Sequence, residues 1–192
     1  MFRRSFLLLA GAAVLSGAAS ANVTQVSGAE RERVLASLSE AVQSTRAVTG
    51  SFVQTNPDGS RVTGAYWLQR PGKVRFQYDD PSPLILVANG ETVAVRDRAL
   101  KTTDRFSQSA TPLSLVLQPR INFARDTRVL RVQRVSGQIA VTARDRRGEA
   151  DGEITLVFDE TSRAIREWTI RNGTGQNTRV VLTTQKSVPS ID

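Results

Sequence analysis

Residues 61–97 read RVTGAYWLQ-RPG-KVRFQY-DDPSP-LILVANG-ETVAVRD, and this stretch decides the fold. Val74, Phe76 and Tyr78 alternate with Lys73, Arg75 and Gln77, the period of two expected of a strand with one buried face. Arg61 to Gln69 is the strand before it, interrupted by Pro71-Gly72. After a turn over Asp79 to Pro83, Leu84 to Ala88 and Thr92 to Asp97 form a hairpin through Asn89-Gly90, a strong short-range hairpin signal.

The same period runs outward in both directions. Gly50 to Thr55 reads as a strand closed by the turn Pro57-Asp58-Gly59, where Pro pre-sets φ and Gly tolerates a positive one. Leu100 to Thr103 is a short return strand. Further strands follow over Thr127 to Arg134, Gln138 to Arg144, Glu153 to Phe158, Ala164 to Arg171 and Thr178 to Gln185. Two segments break the pattern. Val34, Leu35, Leu38, Ala41 and Val42 recur at helical spacing behind a cap region at Ser27-Gly28. Thr111-Pro112 opens a short helix to Leu117, and Ile121 to Ala124 is one more helical turn. About eleven strands joined by short connections pair antiparallel. Such a sheet must curl or be covered to keep its apolar face dry, so the chain is mainly β, an incomplete antiparallel barrel with a helical lid.

The N-terminus reads as a targeting signal. Arg3 and Arg4 precede an apolar run from Phe6 to Val14 and the small-residue site Ala19-Ser20-Ala21. Residues 1–21 are therefore expected to be removed after export, leaving 22–192 as a single domain. The run is too short to span a bilayer. Arg3-Arg4-Ser5-Phe6-Leu7 also fits a twin-arginine signal, so the export route stays open.

The chain has no cysteine and no histidine. Disulfides, thiolate nucleophiles and a lipid-anchored cysteine are excluded, and the commonest general base and zinc ligand are missing. Carboxylate chemistry remains open, but Asp79-Asp80 would face opposite sides of a strand and suits a turn before proline better. With no catalytic motif and no metal-ligand spacing, the chain reads as a non-enzyme without cofactors. The net charge is +8, falling to +6 without Arg3 and Arg4. Nucleic acid is the natural partner to consider for so basic a chain. The densest spots, Arg96-Asp97-Arg98, Arg125-Asp126-Thr127-Arg128 and Arg144-Asp145-Arg146-Arg147, each carry an acid, and aromatics are only 6% of the chain. No stacking platform results. A hydrophobic pocket is the other possibility, lined by Phe52, Trp67, Val74, Phe76, Tyr78, Leu86 and the run Leu113, Leu115, Leu117; the same residues would serve equally as plain core.

The order of these motifs resembles a known family. Gly50-x-Phe52-x-Gln54 is followed by Gly64-x-x-Trp67-x-x-Arg70-Pro71-Gly72-Lys73-x-Arg75-Phe76-x-Tyr78, then Pro81, Leu84-Ile85-Leu86-Val87, Asn89-Gly90 and Thr111-Pro112-Leu113-x-Leu115-x-Leu117. In combination they resemble the outer-membrane lipoprotein carrier family, LolA. The resemblance implies an eleven-stranded open barrel under a helical lid. It also implies a monomeric periplasmic chaperone that takes acylated lipoproteins from an inner-membrane ATP-driven exporter to an outer-membrane receptor or the outer membrane itself. It implies that Arg70 locks the lid over the empty cavity. Asn22 stands where a lipid-anchored receptor relative would need Cys, which points to the soluble carrier type. Of the two positions Val74 and Phe76 in the strand after Arg70-Pro71 only one is aromatic, so a differently shaped pocket is expected. The alternative is a periplasmic lipid-binding or sensing module with another cargo.

Overall fold

The computed structural model describes residues 22–112, 114–118 and 120–190. The segment 1–21 read as a signal peptide and the pocket candidate Leu113 lie outside the described residues.

Among the described residues, every strand joins one antiparallel sheet. β1 (Val23–Gln25) and helix α1 (Gly28–Ser44) come first. A meander follows: β2 (Ala47–Thr55), β3 (Arg61–Gln69), β4 (Lys73–Tyr78), β5 (Leu84–Asn89), β6 (Thr92–Asp97) and β7 (Thr102–Ser107). A 3-10 turn (Gln108–Ala110) and two single helical turns, α2 (Ser114–Leu117) and α3 (Phe123–Asp126), lead to a second meander. Its strands are β8 (Thr127–Val135), β9 (Gln138–Asp145), β10 (Glu153–Asp159), β11 (Ile165–Arg171) and β12 (Asn177–Leu182), followed by β13 (Lys186–Ser187). β12 pairs with β2 and so welds the two meanders together, giving the order β1-β8-β9-β10-β11-β12-β2-β3-β4-β5-β6-β7. β1 and β7 remain as edges: the sheet curls but does not close.

The eleven strands expected from period are all present. β1 and β13, of three and two residues, are additions. Segments this short carry no readable period and exist because β8 and β2 offer them free backbone partners. The return strand after β6 is corrected from Leu100–Thr103 to β7, Thr102–Ser107. Leu100 instead sits in a turn where the Asp97 carboxylate accepts its N–H at 2.9 Å and that of Ala99 at 2.8 Å, leaving the side chain exposed. At the Asn89-Gly90 hairpin, Asn89 ends β5 and its side chain accepts the N–H groups of Glu91 and Thr92. Gly90 then supplies the positive φ, +106°, at the first loop position.

α1 buries Val34, Leu35, Leu38 and Val42, the face set by its three- and four-residue spacing. It is pinned by Arg31, which donates to the Val129 carbonyl at 2.8 Å, and by Arg134, which bridges Glu30 and Glu160 at 2.6 Å each. α2, α3 and the link between them add Leu115, Leu117, Ile121 and Phe123 to the same core as Ile139, Val141, Ile154, Leu156 and Phe158 from the second meander. The helical turn expected over Ile121 to Ala124 is corrected to Phe123–Asp126, because Asn122 caps it by accepting the Arg125 N–H. The lid elements are tied to one another by polar contacts. Ser39 Oγ accepts the Phe123 N–H at 3.1 Å, and Gln43 donates to the Ile121 carbonyl at 2.6 Å.

Candidate functional site

The residues of β3 and β4 define one wall of the site. β4 presents Val74 and Phe76 inward, and register places Phe76 opposite Tyr66 and Val74 opposite Leu68. Phe76 stacks on Tyr66 with ring centres 6.0 Å apart, meets Phe52 edge-on at 5.0 Å and Trp168 at 5.9 Å. Gly64 makes this cluster possible: a Cβ there would collide with the Phe52 ring and the Gln77 carbonyl. Phe52 lies opposite Gly64 in the ladder and lays its ring across the gap. Trp168 comes from β11 and reaches the aromatics of β4 only because β12 joins the second meander to β2.

Beside this cluster is a cavity of about 300 Å³. β2, β3 and β4 contribute Val48, Tyr66, Leu68, Val74 and Phe76. The lid contributes Ala41, Val42 and Leu117, and the far strands Ile165, Trp168 and Leu182. Arg70, Arg163 and Arg166 complete the wall together with Thr45, Gln185 and Ser187. The lid meets the β3–β4 turn through the Gly72 N–H, which donates to the Leu117 carbonyl at 2.8 Å. Gly72 has φ +71°, and a Cβ there would strike Gly90, so this contact point needs glycine. The Arg70-Pro71 peptide just before it is cis.

The expected pocket residues separate into groups. Arg70, Val74, Phe76 and Leu117 line the cavity. Phe52, Tyr78 and Leu115 are buried in the core alongside, and Leu86 is half-buried against it. Trp67 needs correction: it stands on the convex face, in a row with Arg75, whose guanidinium lies 6.0 Å from its ring. Neighbouring strand residues face opposite ways, so the inward aromatic is Tyr66. Tyr66 was readable from the parity of Gly64, Tyr66 and Leu68. Trp168 and Leu182 were not, because only the β12–β2 pairing brings them across.

Burial shapes the polar groups here. It pushes the Tyr66 phenol up to about 12, against a hydrogen bond with Gln185, while the hydroxyl donates to the Thr184 carbonyl at 3.3 Å. Tyr78 is raised for the same reason, opposed by its hydrogen bond to Gln54 at 2.9 Å. Burial lowers Arg70 to about 10, leaving it a cation at neutral pH. Among the described residues no three His, Cys, Asp or Glu side chains gather to hold a metal.

An open, curled antiparallel sheet with an apolar cavity under helices is the architecture of a protein that holds hydrophobic ligands. The family described as outer membrane lipoprotein carrier protein LolA matches residues 43–192, and the chain belongs to that family. Its members are periplasmic binding and carrier proteins. Among proteins of curated function, none matches the sequence significantly. Solved structures with TM-scores above 0.5 share the fold. A domain assigned to outer membrane lipoprotein sorting from Vibrio parahaemolyticus is similar at TM-score 0.53 and 10% identity, covering 86% of this chain and 95% of that one. A DUF1329 family protein from Desulfovibrio piger is similar at TM-score 0.53 and 8% identity, covering 84% and 94%. The MucA/MucB complex of Pseudomonas aeruginosa is similar at TM-score 0.44 and 20% identity, covering 85% of this chain and 59% of the matched one.

Proposed function

We propose that this protein is a periplasmic carrier that takes the acyl chains of lipoproteins released from the inner membrane and delivers them to the outer membrane. The observation that carries the reading is the apolar cavity beneath a helical lid, in a chain of the LolA family. Each acyl CH₂ left in water costs about 0.8 kcal/mol, so a sixteen-carbon chain needs roughly 12 kcal/mol of shelter to cross an aqueous compartment. A cavity of about 300 Å³ is too small for three such chains, so a triacylated cargo requires it to widen. Lid movement has to enlarge it, and the polar ties at Gly72–Leu117, Gln43–Ile121 and Ser39–Phe123 are the contacts such movement would break.

Arg70 is the proposed lid lock. It follows β3 directly, lies half-buried at the cavity wall and belongs to the turn whose Gly72 holds Leu117. Its forked donors suit carbonyl acceptors on the lid. The partners in this reading are the acylated lipoproteins, an ATP-driven exporter in the inner membrane and an acceptor at the outer membrane.

The test is release and delivery. Spheroplasts carrying a newly made outer-membrane lipoprotein, with the matched exporter, should release it into solution as a one-to-one complex with this protein. Arg70→Leu should accept the lipoprotein and fail to pass it on. Absence of release by the folded wild-type protein would remove the transport role; normal delivery by Arg70→Leu would remove the lock. The small size of the cavity favours one other reading, a periplasmic module that binds or senses a single-chain hydrophobic ligand.

A further inference from the structure

The cavity that the carrier reading assigns to acyl chains has an electrically one-sided wall. Three arginines line it, Arg70, Arg163 and Arg166, and no aspartate or glutamate does. Arg166 is partly compensated from outside by Asp159, 3.3 Å away. Arg163 is not compensated: its Nη1 is buried, and no hydrogen-bond acceptor meets it among the described residues. Arg163 as a whole is half-buried, but this one nitrogen of its guanidinium is sealed from solvent with a hydrogen to donate, which an occupant of the cavity would accept.

The chain holds Arg163 in place with some force. The residue has φ +59°, an uncommon conformation for a side chain branching from an L-residue, at the end of the β10–β11 turn. That turn is fixed by the Asp159 carboxylate, which accepts the N–H groups of Thr161 and Ser162, and by the Arg163 N–H, which donates to the Asp159 carbonyl at 3.0 Å. The Arg163 backbone is thus held by a rigid turn beside the apolar wall formed by Ile165, Trp168 and Leu68.

We propose that this cavity selects a single-chain amphiphile with an anionic oxyacid head, a carboxylate or a phosphate, whose head pairs with Arg163 and whose chain lies against Leu68, Phe76 and Trp168. As it stands, before any lid movement, the cavity has room for one short chain. At roughly 30 Å³ for each water-sized group, 300 Å³ takes about ten such groups. An acceptor that is ionised makes the shorter, stronger hydrogen bond that a guanidinium fork is shaped for, so a neutral head of equal size gains less. The inference rests on the cavity being a ligand site, as the carrier reading has it, and adds what the head must be.

Three probes of equal chain length test it: decanoate, decyl phosphate and decanol. The full chain is expressed with its own N-terminal segment and purified from the periplasmic fraction. Binding is read by calorimetry and by tryptophan fluorescence in a Trp67→Phe background, where Trp168 at the cavity is the remaining indole. At low salt, at least one of the two anions should bind at least tenfold more tightly than decanol, and the tighter of the two identifies the head. Arg163→Gln should remove that preference and leave decanol binding unchanged, Arg163→Lys should restore part of it, and Arg128→Gln, an exposed arginine elsewhere, should not alter it. Raising the salt on the wild-type protein should narrow the gap, a check that needs no variant. Equal binding of decanol and both anions, or an undiminished preference in folded Arg163→Gln, would overturn the anionic-head inference while leaving the cavity a ligand site. Failure of all three probes to bind would overturn the ligand-site reading beneath it as well.

Discussion

Replacing Phe76 by alanine separates a cavity wall from a solid core. Phe76 is 5% exposed and touches three aromatic rings, yet part of its surface faces the cavity. Phe158 is fully buried, packs edge-on to Phe123 at 6.0 Å and lies away from the cavity. Truncating a buried phenylalanine costs about 3–5 kcal/mol, the spread reflecting how many contacts the removed atoms had. Phe76 already lacks neighbours on one side, so Phe76→Ala belongs near the low end, about 3 kcal/mol. Phe158→Ala belongs near the high end, about 5 kcal/mol. For a chain of this size the smaller loss lowers Tm by roughly 6–12 °C. The two variants should diverge further with ligand. A compound at a hundred times its Kd adds about 2.7 kcal/mol to any form that binds it, and the space opened at position 76 joins the ligand cavity whereas that at 158 does not. Urea unfolding followed by circular dichroism, with and without decanoate, gives both quantities. Decanoate should stabilise all three forms, narrowing the gap between Phe76→Ala and the wild type, where the ligand fills the space opened, and leaving the gap between Phe158→Ala and the wild type unchanged. Equal losses for the two variants, with no selective recovery at 76, would refute the reasoning that Phe76 is a ligand-facing wall.

Three further outcomes are expected. Gly64→Val should destabilise the protein by at least about 2 kcal/mol, because its side chain enters space held by the Phe52 ring and the Gln77 carbonyl; an unchanged urea midpoint would contradict that packing. Absorbance at 295 nm should show Tyr66 ionising near 12 in the folded protein while an unfolded tyrosine ionises near 10. The unfolded chain therefore releases its proton first, and stability falls as pH rises from about 10 to about 12; a single folded-state transition near 10 would count against the buried placement. Asp159 is held down to about 2, first by the Ser162 N–H, then by the Ser162 hydroxyl, with Arg166 and the Thr161 N–H adding to it. The stability it contributes is complete above the ordinary carboxylate range near 4 and is lost as pH falls toward 2. The difference in urea midpoint between wild type and Asp159→Ala should accordingly shrink over that window, and a constant difference would argue against the turn's hydrogen bonds.

The strands of this protein were legible because their period is local. Val74, Phe76 and Tyr78 carry the inward face of β4 in their own spacing, and Asn89-Gly90 marks its hairpin within one residue. The helix of the lid was equally plain from Val34, Leu35, Leu38 and Val42. The motif order from Gly50 to Leu117 carried the family, and the arginine before Pro71 was found with it. Size misled where parity would have served: Trp67 is the larger aromatic, but Tyr66 shares its face with Gly64 and Leu68 and is the one at the cavity.

Other features have no local signal. β1 and β13 are too short to show a period and form only where a neighbour leaves its backbone unpaired. The pairing of β12 with β2 spans most of the chain and alone brings Trp168, Leu182 and Arg163 to the cavity begun by Tyr66 and Phe76. A row of alternating residues fixes which side of a strand is wet, since that depends on each residue's own transfer from water. Which strands become neighbours depends on backbone partners far apart in sequence. The sequence by itself therefore determined the β architecture, the lid and the family, while the tertiary structure decided the lining of the cavity: an apolar wall drawn from both meanders and the lid, with three arginines at its side.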